Sequence, residues 1–137
     1  MELKLYVVPT SQIHRFWHKA VPHLEEAMKM GDGEYTTDQL KILAMQGNQQ
    51  LLLVMDEDNN CHVALTVIWH VVGSQRICYI SYVGGKNTRS CWNQFVQWVR
   101  NNGGTSIQGS TKSKAIVRLW RIAYKMQPKY TLMEFKL

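Results

Sequence analysis

The fold of this chain is decided by residues 76–104, which read RICYISYVGGKNTRSCWNQFVQWVRNNGG. From Ile77 to Val83 both sets of alternating side chains are largely apolar or aromatic, which is typical of a strand covered on both faces. Gly84 and Gly85 follow, and they allow close approach of the backbone to a ligand or to a neighbouring helix. The stretch therefore predicts a central strand that ends in a glycine turn.

An amphipathic helix is predicted directly after this turn. Asn87 or Thr88 can cap it, and the segment 101–104 (NNGG) ends it. Its apolar residues recur every three to four positions, as expected of a buried face: Cys91, Trp92, Phe95, Val96, Trp98 and Val99. A short strand, 105–109, leads to a second helix that Ser113 can cap. In that helix we expect four residues to face the core: Ile116, Leu119, Trp120 and Ala123.

The first half of the sequence adds three strands and two helices. The strands are predicted at residues 3–7, 50–55 and 62–72. A helix begins near Thr10 or Ser11, where Pro22 should kink or split it, and a Thr-x-x-Gln capping box at 36–39 opens the next one. With a last strand after Pro128, the order predicts one α+β domain over 1–137. Its sheet is mostly antiparallel, with six or seven strands and about four flanking helices.

Composition sets the broad class of the protein. With 137 residues, 45% of them hydrophobic, the chain is long enough for one domain with a sizeable core. Its longest apolar runs, 51–55 and 63–69, are too short to cross a bilayer, and its start lacks the pattern of a signal peptide, so we expect a soluble cytoplasmic protein. The three cysteines are widely spaced, which favours reduced core thiols.

Charge is distributed very unevenly along the chain. Residues 1–58 hold nine of the ten acidic residues and five Lys or Arg, a net charge of −4. Residues 59–137 hold eleven Lys or Arg and only Glu134, a net charge of +10. Such a field favours a polyanionic partner, namely a nucleic acid, an acidic protein surface or a phosphate-rich cofactor.

The order of elements resembles that of the GNAT superfamily of acyl-CoA N-acyltransferases. Short sequence features make it most similar to the GNAT-like proteins of tailed bacteriophages: GNQQL at 47–51, Gly84-Gly85 with Trp92 behind them, and the closing RLWR at 118–121 with AYKM at 123–126. The resemblance covers nearly the whole chain. It implies that the strand 77–83 is the splayed fourth strand of the fold and that the turn after it faces the phosphates of acetyl-CoA.

The resemblance also implies a cofactor site in this turn. Its residues would hold the adenosine and pyrophosphate of the cofactor: Val83, Gly84, Gly85, Lys86, Asn87, Thr88 and Arg89. In the superfamily the loop reads Gln/Arg-x-x-Gly-x-Gly/Ala, with backbone N–H groups directed at the phosphates from a helix N-terminus. The stretch here keeps glycines and adds Lys86 and Arg89, but it departs from that spacing.

Catalytic groups are harder to find in the sequence. The family motif Leu-Tyr-x-Lys-x-Gly-Phe supplies a tyrosine that protonates the departing thiolate, whereas here Trp120 follows Leu119 and leaves Tyr124 as the candidate donor. Transfer to an amine also needs a proton acceptor, yet residues 59–133 contain no carboxylate. The candidate bases are therefore His70 and, from the helical pair, Glu25, Glu26 or Glu34; simple surface exposure is the alternative for each.

A basic stripe is predicted on the last helix. Its four members recur at i, i+4, i+7 and i+11, opposite the apolar face: Lys114, Arg118, Arg121 and Lys125. We expect this stripe to bind an acidic protein surface, a nucleic acid or another phage virion protein, with an ordinary solvated face as the alternative. His14 and His18 are spaced for a shared metal, but no further ligand completes a tetrahedral site, so no metal is expected.

Two classes of function remain open. One is an acetyl-CoA-dependent N-acetyltransferase that acts on a protein or small-molecule amine. The other is a GNAT-like bacteriophage-type protein that has lost catalysis and serves as a binding or assembly module, in the host cytoplasm or in the virion. The loop spacing, the tryptophan at the donor position and the lack of a base favour the second class, for which no cofactor is required.

Overall fold

The computed structural model describes residues 2–31, 35–86 and 88–137. Within them lie five strands: β1 (Lys4–Val8), β2 (Gln50–Met55), β3 (Cys61–Val72), β4 (Gln75–Gly85) and β5 (Ser106–Gly109). The four α-helices are α1 (Ile13–Met28), α2 (Thr37–Met45), α3 (Trp92–Asn101) and α4 (Lys114–Tyr124). Short 3-10 turns at Thr10–Gln12 and Thr88–Cys91 precede α1 and α3.

The five strands form one sheet in sequence order. Neighbours from β1 to β4 pair antiparallel, whereas β4 and β5 pair parallel. The predicted mixed, mostly antiparallel α+β fold is therefore confirmed, and the 77–83 strand is an interior strand, as expected. The expected count of six or seven strands is too high for the described residues, because the segment after Tyr124 forms no strand.

The helices begin and end largely where the sequence places them. The capping box is present, with Thr36 Oγ1 accepting from the backbone N–H of Gln39 and the Gln39 amide oxygen accepting from that of Thr36. The Ser113 hydroxyl accepts from the N–H of Ile116 and caps α4. The prediction that Pro22 splits the first helix is wrong, because α1 continues through Pro22. The fully buried Ala20 and Leu24, before and after the proline, pack against the sheet.

Two apolar clusters cover the two faces of the sheet. One joins α1 and α2 to the sheet through Ile13, Leu24, Leu40, Leu51 and Leu53. The other joins α3 to the sheet through Leu52, Val63, Cys78, Phe95 and Val99. The prediction that α3 packs across the central strand is thus confirmed.

The last helix is covered less than the sequence predicts. It contains no residue buried enough to belong to the core, and Leu119, expected to face inward, is 44% exposed. Ile116, Trp120 and Ala123 are half-buried. Only some residues of the apolar stripe of α4 are therefore in contact with the rest of the protein.

The outer edge of β1 is covered by a side chain of α3. Gln94 accepts a hydrogen bond from the N–H of Leu5 at 2.9 Å and donates one to the carbonyl of Leu3 at 2.8 Å, as a neighbouring strand would. A free strand edge invites pairing with another chain, and this amide blocks it.

The three cysteines are free, with Cys78 and Cys91 buried and Cys61 partly so, as expected for core thiols. None of the described helices has the length and apolar character needed to cross a membrane.

Candidate functional site

A cleft opens where β4 and β5 part. Their parallel pairing runs from Ile77 opposite Ser106 to Ile80 opposite Gly109, after which β4 continues alone to Gly85. The divergence coincides with an irregularity in the β3–β4 pairing, where Val67 faces Ile80 but Thr66 faces Tyr82, so that Ser81 is an extra residue. Because a bulge bends its strand, it explains why β4 separates from β5 at this point.

The cleft contains a small apolar cavity of about 70 Å³ between the sheet, α3 and α4. Its lining includes Ile80, Val83, Phe95, Gly109 and Trp120. The Trp120 ring lies against Gly109, about 3.5 Å from where a β-carbon on that glycine would be. Ligand pockets commonly measure roughly 300–1,000 Å³, so the cavity in this closed form is smaller than a cofactor needs.

Tyr124 closes the cleft at its outer end. Its hydroxyl lies 2.6 Å from the Thr88 hydroxyl, and its ring packs on Trp92 with the ring centres 4.6 Å apart. Both Thr88 and Tyr124 line the cavity. This hydrogen bond therefore ties the end of α4 to the turn that precedes α3.

Close contacts with α1 and β3 explain why the turn contains two glycines. A β-carbon on Gly84 would collide with the backbone carbonyl of His23 in α1, and one on Gly85, whose φ is +122°, would collide with the carbonyl of His62 in β3. That same His62 carbonyl accepts a hydrogen bond of 2.9 Å from the N–H of Lys86. The two glycines thus permit close packing of α1 and β3, and the Lys86 amide is already paired.

The rest of the predicted phosphate turn leads into α3. Thr88 belongs to the 3-10 turn rather than capping the helix, and the residue at the cap position is Cys91, which makes no side-chain capping bond. Lys86 and Arg89 are exposed beside this turn, and Val83 lines the cavity. Asn87 lies outside the described residues.

Cys91 also lines the cavity, a position that sequence reasoning did not assign to the site. Burial raises the pKa of the Cys91 thiol, whose Sγ donates to the Thr88 carbonyl at 3.3 Å. The group is consequently a protonated thiol at neutral pH and a poor nucleophile. It contributes apolar surface to the cleft.

His70 does not reach the cleft. In the sheet His70 lies opposite Ile77, and Val67 lies opposite Ile80, where β4 and β5 diverge. His70 is three residues along β3 from Val67, a distance of roughly 10 Å. The imidazole is exposed, with the ring of Tyr79 at 6.0 Å. Glu25 and Glu26 are exposed on α1, which packs on the opposite face of the sheet, and Glu34 lies outside the described residues.

A buried polar group that no sequence pattern indicates lies beside the bulge. The Ser81 hydroxyl donates to the side-chain oxygen of Gln49 at 2.9 Å, and Gln49 is only 3% exposed. The Thr66 hydroxyl, opposite this part of β4, is buried and makes no hydrogen bond with the described residues. Only the bulge, which sequence patterns do not reveal, brings these groups together.

The four basic residues of the α4 stripe are all exposed. Three of them line a surface groove of about 580 Å³ together with apolar Val117 and Ile122: Lys114, Arg118 and Arg121. Lys125 follows the helix in the left-handed conformation, with φ of 58°. None of the four forms an ion pair with an acidic side chain of the described residues.

Solved structures of acetyltransferases share this architecture. An aminoglycoside acetyltransferase from an uncultured soil metagenomic sample, in complex with sisomicin, matches with a TM-score of 0.72 and 13% identity over 98% of this chain and 96% of that one. AAC(6')-Iy, in complex with the bisubstrate analogue CoA-S-monomethyl-acetylneamine, gives 0.68 and 9% identity over 100% and 99%. A putative acetyl transferase from Pyrococcus furiosus gives 0.69 and 8% over 99% and 100%.

These likenesses show that the chain has the GNAT fold. At such low identity they show the fold alone. No protein-family model and no curated protein sequence matches the chain. The finer similarity to bacteriophage proteins has no counterpart among these structures.

Proposed function

We propose that this chain binds an acyl-CoA, with acetyl-CoA as the simplest case, and transfers the acyl group to an amine. The observation that carries the proposal is the parallel β4–β5 pair that parts after Ile80 beside the start of α3, where Lys86 and Arg89 are exposed. The bisubstrate analogue held by AAC(6')-Iy, a protein of the same fold, contains CoA and supports this choice of cofactor.

In this proposal the cofactor's pyrophosphate lies against the turn at the start of α3. The side chains of Lys86 and Arg89 supply positive charge there, and the N-terminus of α3 adds the positive end of its dipole. The pantetheine arm runs along the part of β4 beyond Ile80, where none of the described residues forms a strand on the β5 side. The thioester then lies near Trp120 and Tyr124.

The transfer step uses few groups of this chain. The neutral amine attacks the thioester carbonyl, the new C–N bond forms, the C–S bond breaks, and Tyr124 gives its hydroxyl proton to the departing sulfur. The proton of the amine leaves to solvent, because no described carboxylate lines the cavity. The reaction consequently depends on amines that are already neutral, and its rate rises with pH until the acceptor is deprotonated.

Entry of the cofactor requires a change in α4. A 70 Å³ cavity does not hold a pantetheine arm, so the Tyr124–Thr88 hydrogen bond has to break and the Trp120 ring has to move away from Gly109. The low burial of α4 makes such a displacement inexpensive, since few core contacts are lost.

Calorimetric titration with acetyl-CoA tests the binding half of the proposal. We expect saturable binding that falls at least about tenfold, or about 1.4 kcal/mol, in the double variant Lys86→Ala/Arg89→Ala. The matched control is Arg100→Ala/Lys129→Ala, which removes two exposed cations, one of them from the opposite end of α3, and should leave affinity unchanged. Release of free CoA thiol with a panel of amines, sisomicin included, tests transfer.

A second function, a binding or assembly module without catalysis, is favoured by one specific observation. Trp120 stands where the family motif has its proton donor, and its ring fills the cleft. In that case the exposed stripe of Lys114, Arg118, Arg121 and Lys125 is the working surface, and its partner is a nucleic acid or an acidic protein, such as another component of a phage particle. Absence of any acetyl-CoA binding at the highest soluble concentration would exclude the first function and leave the second.

A further inference from the structure

The buried polar side chains of the core lie together at the bulge in β4. Among the residues that the structure describes, two polar side chains are buried, Gln49 at 3% exposure and Thr66 at 0%. Gln49 accepts the hydrogen bond from the Ser81 hydroxyl, and Thr66 lies opposite Tyr82, the next residue of β4. Burying a polar side chain costs free energy that burying an apolar one does not. An otherwise apolar core therefore accepts this cost at one irregular point of the sheet.

Gln49 is anchored by its backbone as well as by its side chain. Gly47, with φ of 81°, follows α2, and the N–H groups of Asn48 and Gln49 both donate to the Leu43 carbonyl, at 2.9 and 3.2 Å. Gln49 directly precedes β2, whereas Ser81 belongs to β4, and β3 lies between these two strands in the sheet. The hydrogen bond of 2.9 Å thus connects the end of α2 to a strand that is not a neighbour of β2.

Strand pairing alone does not fix the direction of Ser81. The β3–β4 register requires one extra residue between Ile80 and Tyr82, and Ser81 is that residue. An extra residue has no opposite partner in the ladder, so the pairing on either side leaves its orientation open. The side chain of Gln49 supplies a constraint that the ladder lacks.

We propose that Gln49 is a positioning residue for acyl-CoA: by holding the Ser81 hydroxyl it fixes the bend of β4, and with it the wall of the cleft along which the pantetheine arm runs. This inference rests on the proposed function. The two residues of β4 that line the cavity, Ile80 and Val83, lie on either side of Ser81, so a change in its direction moves that wall. Gln49 itself does not line the cavity and acts through Ser81.

The test compares two neighbouring glutamines. Gln49→Met keeps a side chain of similar length but removes the acceptor for Ser81. Gln50→Met is the matched control, because the Gln50 side-chain oxygen accepts from Trp69 Nε1 at 3.0 Å, and neither of these two residues lines the cavity. In calorimetric titrations, affinity for acetyl-CoA should fall about fivefold or more in Gln49→Met and stay unchanged in Gln50→Met. Circular dichroism and thermal melts check that each variant keeps the fold.

Ser81→Ala and the double variant Gln49→Met/Ser81→Ala complete a double-mutant cycle. If Gln49 acts through Ser81, the double variant should lose no more acetyl-CoA affinity than either single variant, because removing one partner already removes the bond between them. Ser81→Thr keeps a hydroxyl and should bind like the unsubstituted chain. Additive losses in the double variant would mean that Gln49 acts by another route, and would overturn the proposal.

Amide hydrogen exchange without cofactor tests the same role independently of acyl-CoA binding. In Gln49→Met the amides of β4 beyond Ile80 should exchange about fivefold faster or more, while those of 75–79 keep their rates. Gln50→Met should leave the amides beyond Ile80 unchanged.

Two results would overturn the role of Gln49: unchanged exchange beyond Ile80 in Gln49→Met, or acetyl-CoA affinity equal to that of the unsubstituted chain. Failure of the proposed function has a different signature. In that case the unsubstituted chain binds no acetyl-CoA, whereas faster exchange in Gln49→Met would still show that Gln49 holds the wall of the cleft.

Discussion

Tyr124 is the residue on which the proposed chemistry depends most. Its hydroxyl is held by Thr88 and its ring by Trp92, so its position is fixed by contacts with the turn and with α3. Once cofactor entry breaks the bond to Thr88, the packing of the ring on Trp92 is the contact that positions the hydroxyl as a proton donor. The same contacts could serve only to close the cleft, and two substitutions separate these roles.

Replacing Tyr124 with Phe should lower kcat for acyl transfer by about 10²-fold, the lower end of the range for general acid catalysis, with little change in acetyl-CoA affinity. Thr88→Val removes the hydrogen bond but keeps the phenol, and it should retain most of kcat. Steady-state kinetics and calorimetry on both variants provide the comparison. Equal activity of Tyr124→Phe and the unsubstituted protein would exclude Tyr124 as the donor.

The hairpin between β2 and β3 contains an acidic residue that makes stability depend on pH. Hydrogen bonds from the His62 side chain and from the backbone N–H of Asn60 lower the pKa of Asp56 to about 2. The Asp56–His62 distance is 2.9 Å, and Asp58 donates its N–H to the same carboxylate. The group thus prefers its charged form more strongly in the folded chain than in the unfolded one.

Because the pKa of Asp56 is lower in the folded chain, the stability that this carboxylate contributes is complete above the unfolded pKa near 3.8. It is lost as the pH falls toward 2. We expect the free energy of unfolding to fall over that window, and Asp56→Asn to flatten the dependence. Asp58→Asn, a neighbouring exposed carboxyl, is the control and should keep the profile. Chemical denaturation at a series of pH values measures it; identical profiles for Asp56→Asn and the unsubstituted chain would contradict the role of this turn.

At the scale of elements, the glycine turn after β4 fixes how closely α1 and β3 approach it. Gly84→Ala would put a methyl group against the His23 carbonyl, and backbone cannot move aside as a flexible side chain can. We expect a loss of about 3 kcal/mol or more in the free energy of unfolding. In Gly109→Ala the new methyl would meet the Trp120 ring at an ordinary contact distance of 3.5 Å, and the change should stay within about 1 kcal/mol.

Urea denaturation of both glycine variants provides the comparison. If Gly84→Ala were as stable as Gly109→Ala, the close packing of α1 on β4 would be wrong.

The elements that the sequence predicts well are those whose signals are local. The Thr36–Gln39 capping box and the two-sided apolar pattern of 77–83 each depend on neighbouring residues, and the structure contains both. The bulge at Ser81 and the reason for Gly84 depend on contacts with other elements, which a single sequence does not display. The strand expected after Pro128 is not formed in the described residues, although 130–136 is rich in residues that favour extended backbone.

At the scale of the whole molecule, the separation of charge between the two halves of the sequence predicts salt-dependent binding to polyanions. Neutralising phosphates releases counterions, so affinity should fall steeply with salt if the α4 stripe binds nucleic acid. The double variant Arg118→Glu/Arg121→Glu should weaken binding to duplex DNA at least tenfold. The thermal melting of the variant protein should be unchanged, because both side chains are exposed.

Lys4→Glu/Lys29→Glu changes the net charge equally but in the acidic half, and serves as the control. Fluorescence anisotropy over a salt series measures both variants. Equal binding by the two would mean that net charge alone, rather than the stripe, attracts the polyanion.

The connection between β4 and β5 has a consequence for the order in which the chain folds. Strands β1 to β4 are antiparallel, and β2, β3 and β4 follow one another through short turns, whereas the parallel β5 can join only after α3 has crossed the sheet. Long-range parallel pairing forms slowly because loop closure precedes it. The antiparallel meander of β2, β3 and β4 should accordingly form first, with β1, β5 and α4 joining later, because β1 also pairs across a long stretch of chain. A nascent chain would then hold a stable meander before the last elements of its cleft exist.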